Sequence, residues 1–200
     1  MVERQLRCRG IRDQRVLAAM QEIPREEFVP ESGRTHAYAD DPAPIGHGQT
    51  ISQPYMVALM AQCLELKETD TVLEVGAGCG YHAAVLAALA ARVITIELIP
   101  ELAELAQQNL EKTGRAGNVL VVCGDGSQGC PALAPFDAIS VAAAADEVPA
   151  ALLEQLKDPG RMVIPVGSSW EQELRVIKKS NGELTWHIAT FCRFVPLRSR

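Results

Sequence analysis

At 200 residues the chain has material for one well-buried domain over 1–200 and too little for two. A hydrophobic fraction of 48 % excludes disorder, and an aromatic fraction of 4 % demands a core of Ala, Val, Leu and Ile, the mixture that packs helices on a buried parallel sheet. The net charge of −6 excludes bulk attraction to nucleic acid or an anionic membrane, and no apolar run is long enough to span a bilayer.

Met1 to Arg15 is charged throughout and lacks the apolar core of a signal peptide. The six cysteines are scattered, with no C-x-x-C pair and no Cys/His cluster, so reduced thiols and no metal site are expected. A cytoplasmic monomer is the corresponding expectation.

In chain order, Leu6, Ile11, Val16, Leu17 and Met20 lie near one face and predict a helix over 3–20. Its arginines read as a solvated face rather than a nucleic-acid contact, because Glu3, Asp13 and Glu22 interrupt them. A short turn at 24–28 follows. Residues 39–53 are rich in Asp, Pro and Gly without any period, the mark of a long ordered loop with a function. The first 53 residues thus form helices and a loop, and residues 54–200 the core.

The core pattern is regular. Helices are predicted at 54–66, 81–89, around 102–110 and at 149–157; strands are predicted at 72–75, 93–97, 119–123, 136–141 and 162–166. Two further strands, 173–179 and 184–195, flank Asn181-Gly182, a hairpin signal. Alternation of strand and helix implies parallel βαβ units, hence a doubly wound α/β/α sandwich with a mostly parallel sheet of about seven strands.

Val72 to Tyr81 joins a strand, a glycine turn and a helix start. Side chains at Gly76, Gly78 and Gly80 would obstruct a ligand or a tight reversal there. Glu97 ends the next strand, where a carboxylate can accept from both ribose hydroxyls of a nucleoside. A glycine turn alone leaves an ordinary α/β domain open. A dinucleotide fingerprint G-x-G-x-x-G/A needs a small residue at position 81, and Tyr81 stands there, which disfavours an NAD dehydrogenase. The observed G-x-G-x-G, preceded by Glu74, resembles motif I of Rossmann-like class I S-adenosylmethionine methyltransferases. That resemblance implies S-adenosyl-L-methionine as cofactor, held by Glu74, Gly76, Gly78, Gly80 and Glu97, with Asp125 and Gly126 near the adenine. Phe136-Asp137-Ala138-Ile139 matches the fourth-strand motif of the same group.

The loop Ile45 to Pro54, reading I-G-H-G-Q-T-I-S-Q-P, is similar to the signature of protein-L-isoaspartate (D-aspartate) O-methyltransferases. Glu26 to Pro30, Val148 to Lys157, Ile164 to Gly167 and Phe194 to Leu197 carry the same resemblance across nearly the whole chain. It implies methyl transfer to the free α-carboxylate of L-isoaspartyl residues in damaged proteins and peptides, with the free side-chain carboxylate of D-aspartyl residues as a second candidate acceptor. The ester then closes spontaneously to a succinimide. Ser52 is the implied active-site residue, with Thr50, Ser52 and Gln53 facing the substrate. It further implies that the last two strands are exchanged relative to other methyltransferases.

A carboxylate is ionised at pH 7 and a methyl sulfonium is already activated, so neither a base nor a metal is required. Ser52 is then an orienting donor, and it also suits an N-cap of helix 54–66. His47 and His82, beside the two motifs, read as packing or solvent-facing residues. Cys79 reads as a small tolerated side chain where relatives often carry Ser. Ala142 stands where the family commonly has Thr. Two other readings remain open: a methyltransferase for another carboxylate or a small-molecule acceptor, and a non-catalytic binding relative.

Overall fold

The computed structural model describes residues 1–168 and 170–199. The helix expected over 3–20 is broken into two parts. Val2–Leu6 form a π-type turn and Arg7–Arg9 a 3-10 turn, which Gly10 ends in the left-handed region at φ 93°. Asp13 then starts a new helix, α1 (Gln14–Glu22), its carboxylate accepting from the backbone N–H of Arg15 and Val16 at 2.8 and 3.3 Å. Val16, Leu17, Ala19 and Met20 form its buried face.

Residues 39–53, expected to be irregular, contain a small hairpin of β1 (Ala43–Gly46) and β2 (Gln49–Ile51). His47 and Gly48 make its two-residue turn, both at positive φ (52° and 69°), as a primed turn requires. Helix α2 (Pro54–Cys63) begins with proline in its first turn and stops short of the expected residue 66, since Glu65 turns left-handed at φ 47°. Next come β3 (Thr71–Val75), α3 (Tyr81–Ala87), β4 (Arg92–Glu97), α4 (Pro100–Lys112), β5 (Val119–Cys123) and β6 (Phe136–Val141), close to the expected bounds. Helix α5 (Ala150–Gln155) is shorter than expected because β7 (Leu156–Gly167) begins at once. Strands β8 (Gln172–Ser180) and β9 (Glu183–Cys192) turn at Asn181-Gly182, and the Asp158 carboxylate accepts from both turn N–H groups at 2.9 and 2.5 Å.

Seven strands form one sheet in the order β5-β4-β3-β6-β7-β8-β9. The pairs from β5 to β7 are parallel, and β8 and β9 add an antiparallel edge in sequence order. Helices α1 to α4 cover one face, against Val72, Val93, Ala138 and Val163. The other face, with Leu73, Ile94, Ile139 and Ile164, is covered by α5 and by 3-10 turns at Gly126–Gln128 and Pro131–Leu133. The α/β/α sandwich is therefore present, with unequal helical layers. Burial on both faces is why these strands read as continuous apolar runs. β4 and β6 flank β3 on opposite sides, which opens a crevice at the carboxyl ends of β3 and β6.

Candidate active site

β3 delivers the chain to Gly76 at this crevice. Gly76 and Ala77 both donate their N–H to the Ile96 carbonyl, at 2.8 and 3.2 Å, which ties the glycine turn to β4. One residue further along β4, Glu97 accepts from Gly78 N–H at 2.8 Å through Oε2 and from Ile99 N–H at 3.0 Å through Oε1. The carboxylate is buried and rigidly aimed, and each oxygen keeps acceptor capacity for a further donor. Gly76, Gly78, Glu97 and Gly126 line one cleft. A Cβ on Gly126 would sit 2.4 Å from Val75 Cγ1, so only glycine lets the turn after β5 close on β3.

Three expected cofactor residues lie off this wall. Glu74 is fully buried beneath the glycine turn, where its Oε2 accepts from Thr95 Oγ1 at 2.5 Å and its Oε1 lies 3.4 Å from His82 Nδ1. Burial pushes its carboxyl up to about 8 and the His82 imidazole down to about 4, so at neutral pH this is a contact between uncharged groups. In this structure it stands directly beneath the cleft lining rather than on its surface. Gly80 begins α3 at φ 87°, and a Cβ there would come 3.1 Å from the Ala106 carbonyl of α4. It brings two helices together rather than lining the cleft. Asp125 turns its carboxylate to Ser127, accepting from N–H at 2.9 Å and Oγ at 2.7 Å, and so shapes the turn that presents Gly126.

The loop expected to face the substrate closes the other side. Thr50 and Ser52 line the cofactor cleft, and both also line a second, outer groove with Gln53, Tyr55 and Phe191. Four residues belong to both spaces: Thr50, Ser52, Ala142 and Val195. Gln53 lies only on the outer side and donates from Nε2 to the Asp40 carbonyl at 2.7 Å. The N-cap of α2 is Gln53, without a side-chain cap bond, so Ser52 does not serve as the cap. The Ser52 carbonyl instead accepts from Arg25 Nη2 at 2.7 Å, while Arg25 Nε donates to the Ala37 carbonyl at 2.7 Å.

Several residues of the site were not singled out from sequence. Val195 to Arg198 line the cleft because the tail folds back: Ala144 N–H donates to the Val195 carbonyl and Leu197 N–H to the Ala144 carbonyl, at 2.8 and 2.7 Å. The Phe194 to Leu197 motif was visible, but its reach to the site was not. Tyr81 and His82 also line the cleft from the start of α3, and His82, read as a packing or solvent-facing residue, is buried at the site. Cys79 is buried and its thiol pushed up to about 11 by desolvation, which leaves no thiolate at neutral pH. His47 stands at the exposed hairpin turn.

Comparison with known proteins identifies what this arrangement belongs to. The family model described as protein-L-isoaspartate (D-aspartate) O-methyltransferase matches residues 1–200. A protein-L-isoaspartate O-methyltransferase of Koribacter versatilis is 55 % identical over 197 residues, 98 % of this chain and 88 % of its own. That of Methanopyrus kandleri is 53 % identical over 201 residues, covering 98 % and 89 %. Among solved structures, one protein-L-isoaspartate O-methyltransferase superposes with a TM-score of 0.86 at 33 % identity, over 98 % of this chain and 65 % of that one. A Plasmodium falciparum protein-L-isoaspartate O-methyltransferase in complex with S-adenosyl-L-homocysteine gives 0.84 at 28 % identity, over 100 % and 97 %. With the model spanning every residue and relatives above half identity, the chain belongs to the protein-L-isoaspartate (D-aspartate) O-methyltransferase family.

Proposed function

We propose that this chain is an S-adenosyl-L-methionine-dependent enzyme that methylates the free carboxylate of L-isoaspartyl residues in damaged proteins and peptides. The observation that carries the reading is the meeting of two spaces, the glycine-walled cleft that holds Glu97 and an outer groove, at Thr50, Ser52, Ala142 and Val195. A transferase needs such a junction, because donor and acceptor must touch at one point and nowhere else. Membership in the family supplies the identity of both substrates.

When bound, S-adenosyl-L-methionine supplies a methyl group activated by its sulfonium centre. Glu97, fixed by two backbone N–H groups, is suited to accept from a pair of ribose hydroxyls. Gly76, Gly78 and Gly126 keep the wall free of side chains, which fits an adenosyl group lying against the backbone. Ser52, with its carbonyl anchored to Arg25, is suited to donate its hydroxyl to one oxygen of the acceptor carboxylate, leaving the other to attack. The attacking oxygen gains a bond to carbon while the electron pair of the cleaved carbon–sulfur bond stays on sulfur. No proton changes hands, and the residues are asked only for position and desolvation. The ester product is neutral and cyclises without help.

The same proposal takes the enzyme as a cytoplasmic monomer. The six cysteines are all free, the state that a reducing compartment maintains. No helix among the described residues is long and apolar enough to cross a membrane.

Replacing Ser52 with Ala tests the reading at its junction. Loss of one hydrogen bond to a charged acceptor lowers kcat/KM for an isoaspartyl peptide by roughly 10- to 100-fold. The dissociation constant for S-adenosyl-L-homocysteine should stay within about twofold, since the same change leaves the nucleoside wall intact. An unchanged kcat/KM would instead favour a different acceptor.

A further inference from the structure

Arg25 is the largest fully buried side chain among the described residues, at 0 % exposure. Two arms of its guanidinium donate to the carbonyls of Ala37 and Ser52, its face lies over the Tyr81 ring at 4.9 Å, and Nη1 is buried without any partner. Among the described residues no carboxylate forms an ion pair with it. The neighbouring Glu26 carboxylate accepts from Tyr38 Oη instead. The titratable groups that do face it, Tyr81, Cys79 and Tyr38, are all uncharged at neutral pH.

A buried cation without a counter-ion is costly, and a fold that only needed to clip a loop could do so with a neutral donor. Its position gives the charge a use. One side of the 50–53 loop is bonded to this guanidinium, and the other side is the wall on which Ser52 faces the outer groove. We propose that Arg25 is a positioning residue that sets the acceptor preference: its buried charge, transmitted through the Ser52 peptide, favours an ionised carboxylate at Ser52 over a neutral group. The inference rests on the isoaspartyl reading above. It also accounts for turnover, because methylation converts the favoured anion into an ester that the charge no longer holds.

A carboxylate hydrogen-bonded to the Ser52 hydroxyl lies within about 8 Å of the guanidinium, where Coulomb attraction in a partly buried site is worth roughly a tenfold change in affinity. The test uses the full chain loaded with S-adenosyl-L-homocysteine, and calorimetric titration with two peptides. One carries an isoaspartyl residue with a free α-carboxylate, and its twin carries the α-carboxamide. Wild type should bind the carboxylate peptide about tenfold more tightly. Arg25→Gln should remove most of that ratio while leaving the amide peptide little changed, and Arg25→Lys should retain it. Citrulline at position 25, an uncharged isostere that keeps an Nε–H and an NH₂ donor for the Ala37 and Ser52 carbonyls, gives the same reading if the Gln variant does not fold. Equal affinities in wild type, or variants that weaken both peptides alike, would overturn the proposal and leave Arg25 a structural clip. Failure of wild type to bind either peptide would overturn the isoaspartyl reading, and this inference with it.

Discussion

Glu97 holds two backbone N–H groups and still faces the cleft, so it joins local order to ligand recognition. Changing it to Gln replaces one charged acceptor by a neutral amide that must turn its NH₂ toward either Gly78 or Ile99 N–H. Hydrogen bonds to charged groups are worth about 1.5–3 kcal/mol, so the dissociation constant for S-adenosyl-L-methionine should rise roughly 10- to 100-fold. Calorimetry reads this directly, and an unchanged constant would remove Glu97 from the binding wall. Glu97 was legible in the sequence because a strand, a turn and a helix fix its spacing from Gly76 within one βαβ unit. Arg25 was not legible, since its partners lie 12 and 27 residues away and nothing in Pro24-Arg25-Glu26 distinguishes a buried arginine from an exposed one. His82 escaped for a related reason: the site is met by the first turn of α3, and which side of that turn faces the cleft depends on tertiary packing.

Between residues and the whole sheet, the layer under the glycine turn carries its own pH dependence. Glu74, Thr95 and Ser140 stand side by side on β3, β4 and β6, with His82 above them from α3. Burial raises the Glu74 carboxyl from its ordinary 4.5 to about 8, with the negative charge of Glu97 adding to the effect and the Thr95 bond opposing it. The folded state therefore keeps a proton that the unfolded chain has lost between those two values. Stability contributed by this proton is fully present below about 4.5 and is lost as pH rises toward about 8. Glu74→Gln cannot titrate, so its melting temperature relative to wild type should rise steadily across that interval and level off above it. His82, lowered to about 4, gives stability lost as pH falls below 6.5, a slope of opposite sign. Because His82 touches Glu74, the comparison is read from about 6.5 upward, where the imidazole is neutral in the fold. A gap between the two melting curves that does not change with pH would mean that Glu74 is ionised in the fold. Elements themselves were legible where the apolar period was long, as in α4 and β3. The missed break at Gly10 and Asp13 and the missed hairpin at His47-Gly48 share a cause. Each is set by one or two residues with special backbone geometry, Gly10 and Asp13 against the period on either side and His47-Gly48 within a stretch that has no period to read.

Across the whole molecule, the sheet is the continuous element that joins both apolar layers. Leu73 and Val72 point to opposite faces of one strand, so neither layer can lose its packing without exposing the other's backing. The tail strengthens this coupling, since residues 195–197 bond to the segment after β6 while the N-terminal loop packs Ile45 against Gly78, with Ile45 Cδ1 3.2 Å from where a Gly78 Cβ would stand. Calorimetric unfolding should accordingly show one transition over residues 1–200, with van't Hoff and calorimetric enthalpies in agreement. Two separable transitions would split the N-terminal 53 residues from the core. The parallel order was legible from strand–helix alternation, whereas the thinness of the second helical layer was not, because 3-10 turns at 126–133 leave no period to read. The account as a whole joins a methyl donor, held at the end of β3, to a carboxylate acceptor at Ser52. Its most direct test is methyl transfer from S-adenosyl-L-methionine to an isoaspartyl peptide and, in parallel, to the peptide of identical sequence with a normal aspartyl linkage. The account predicts labelling of the isoaspartyl peptide with none above background for its twin; equal labelling of both, or of neither, would contradict it.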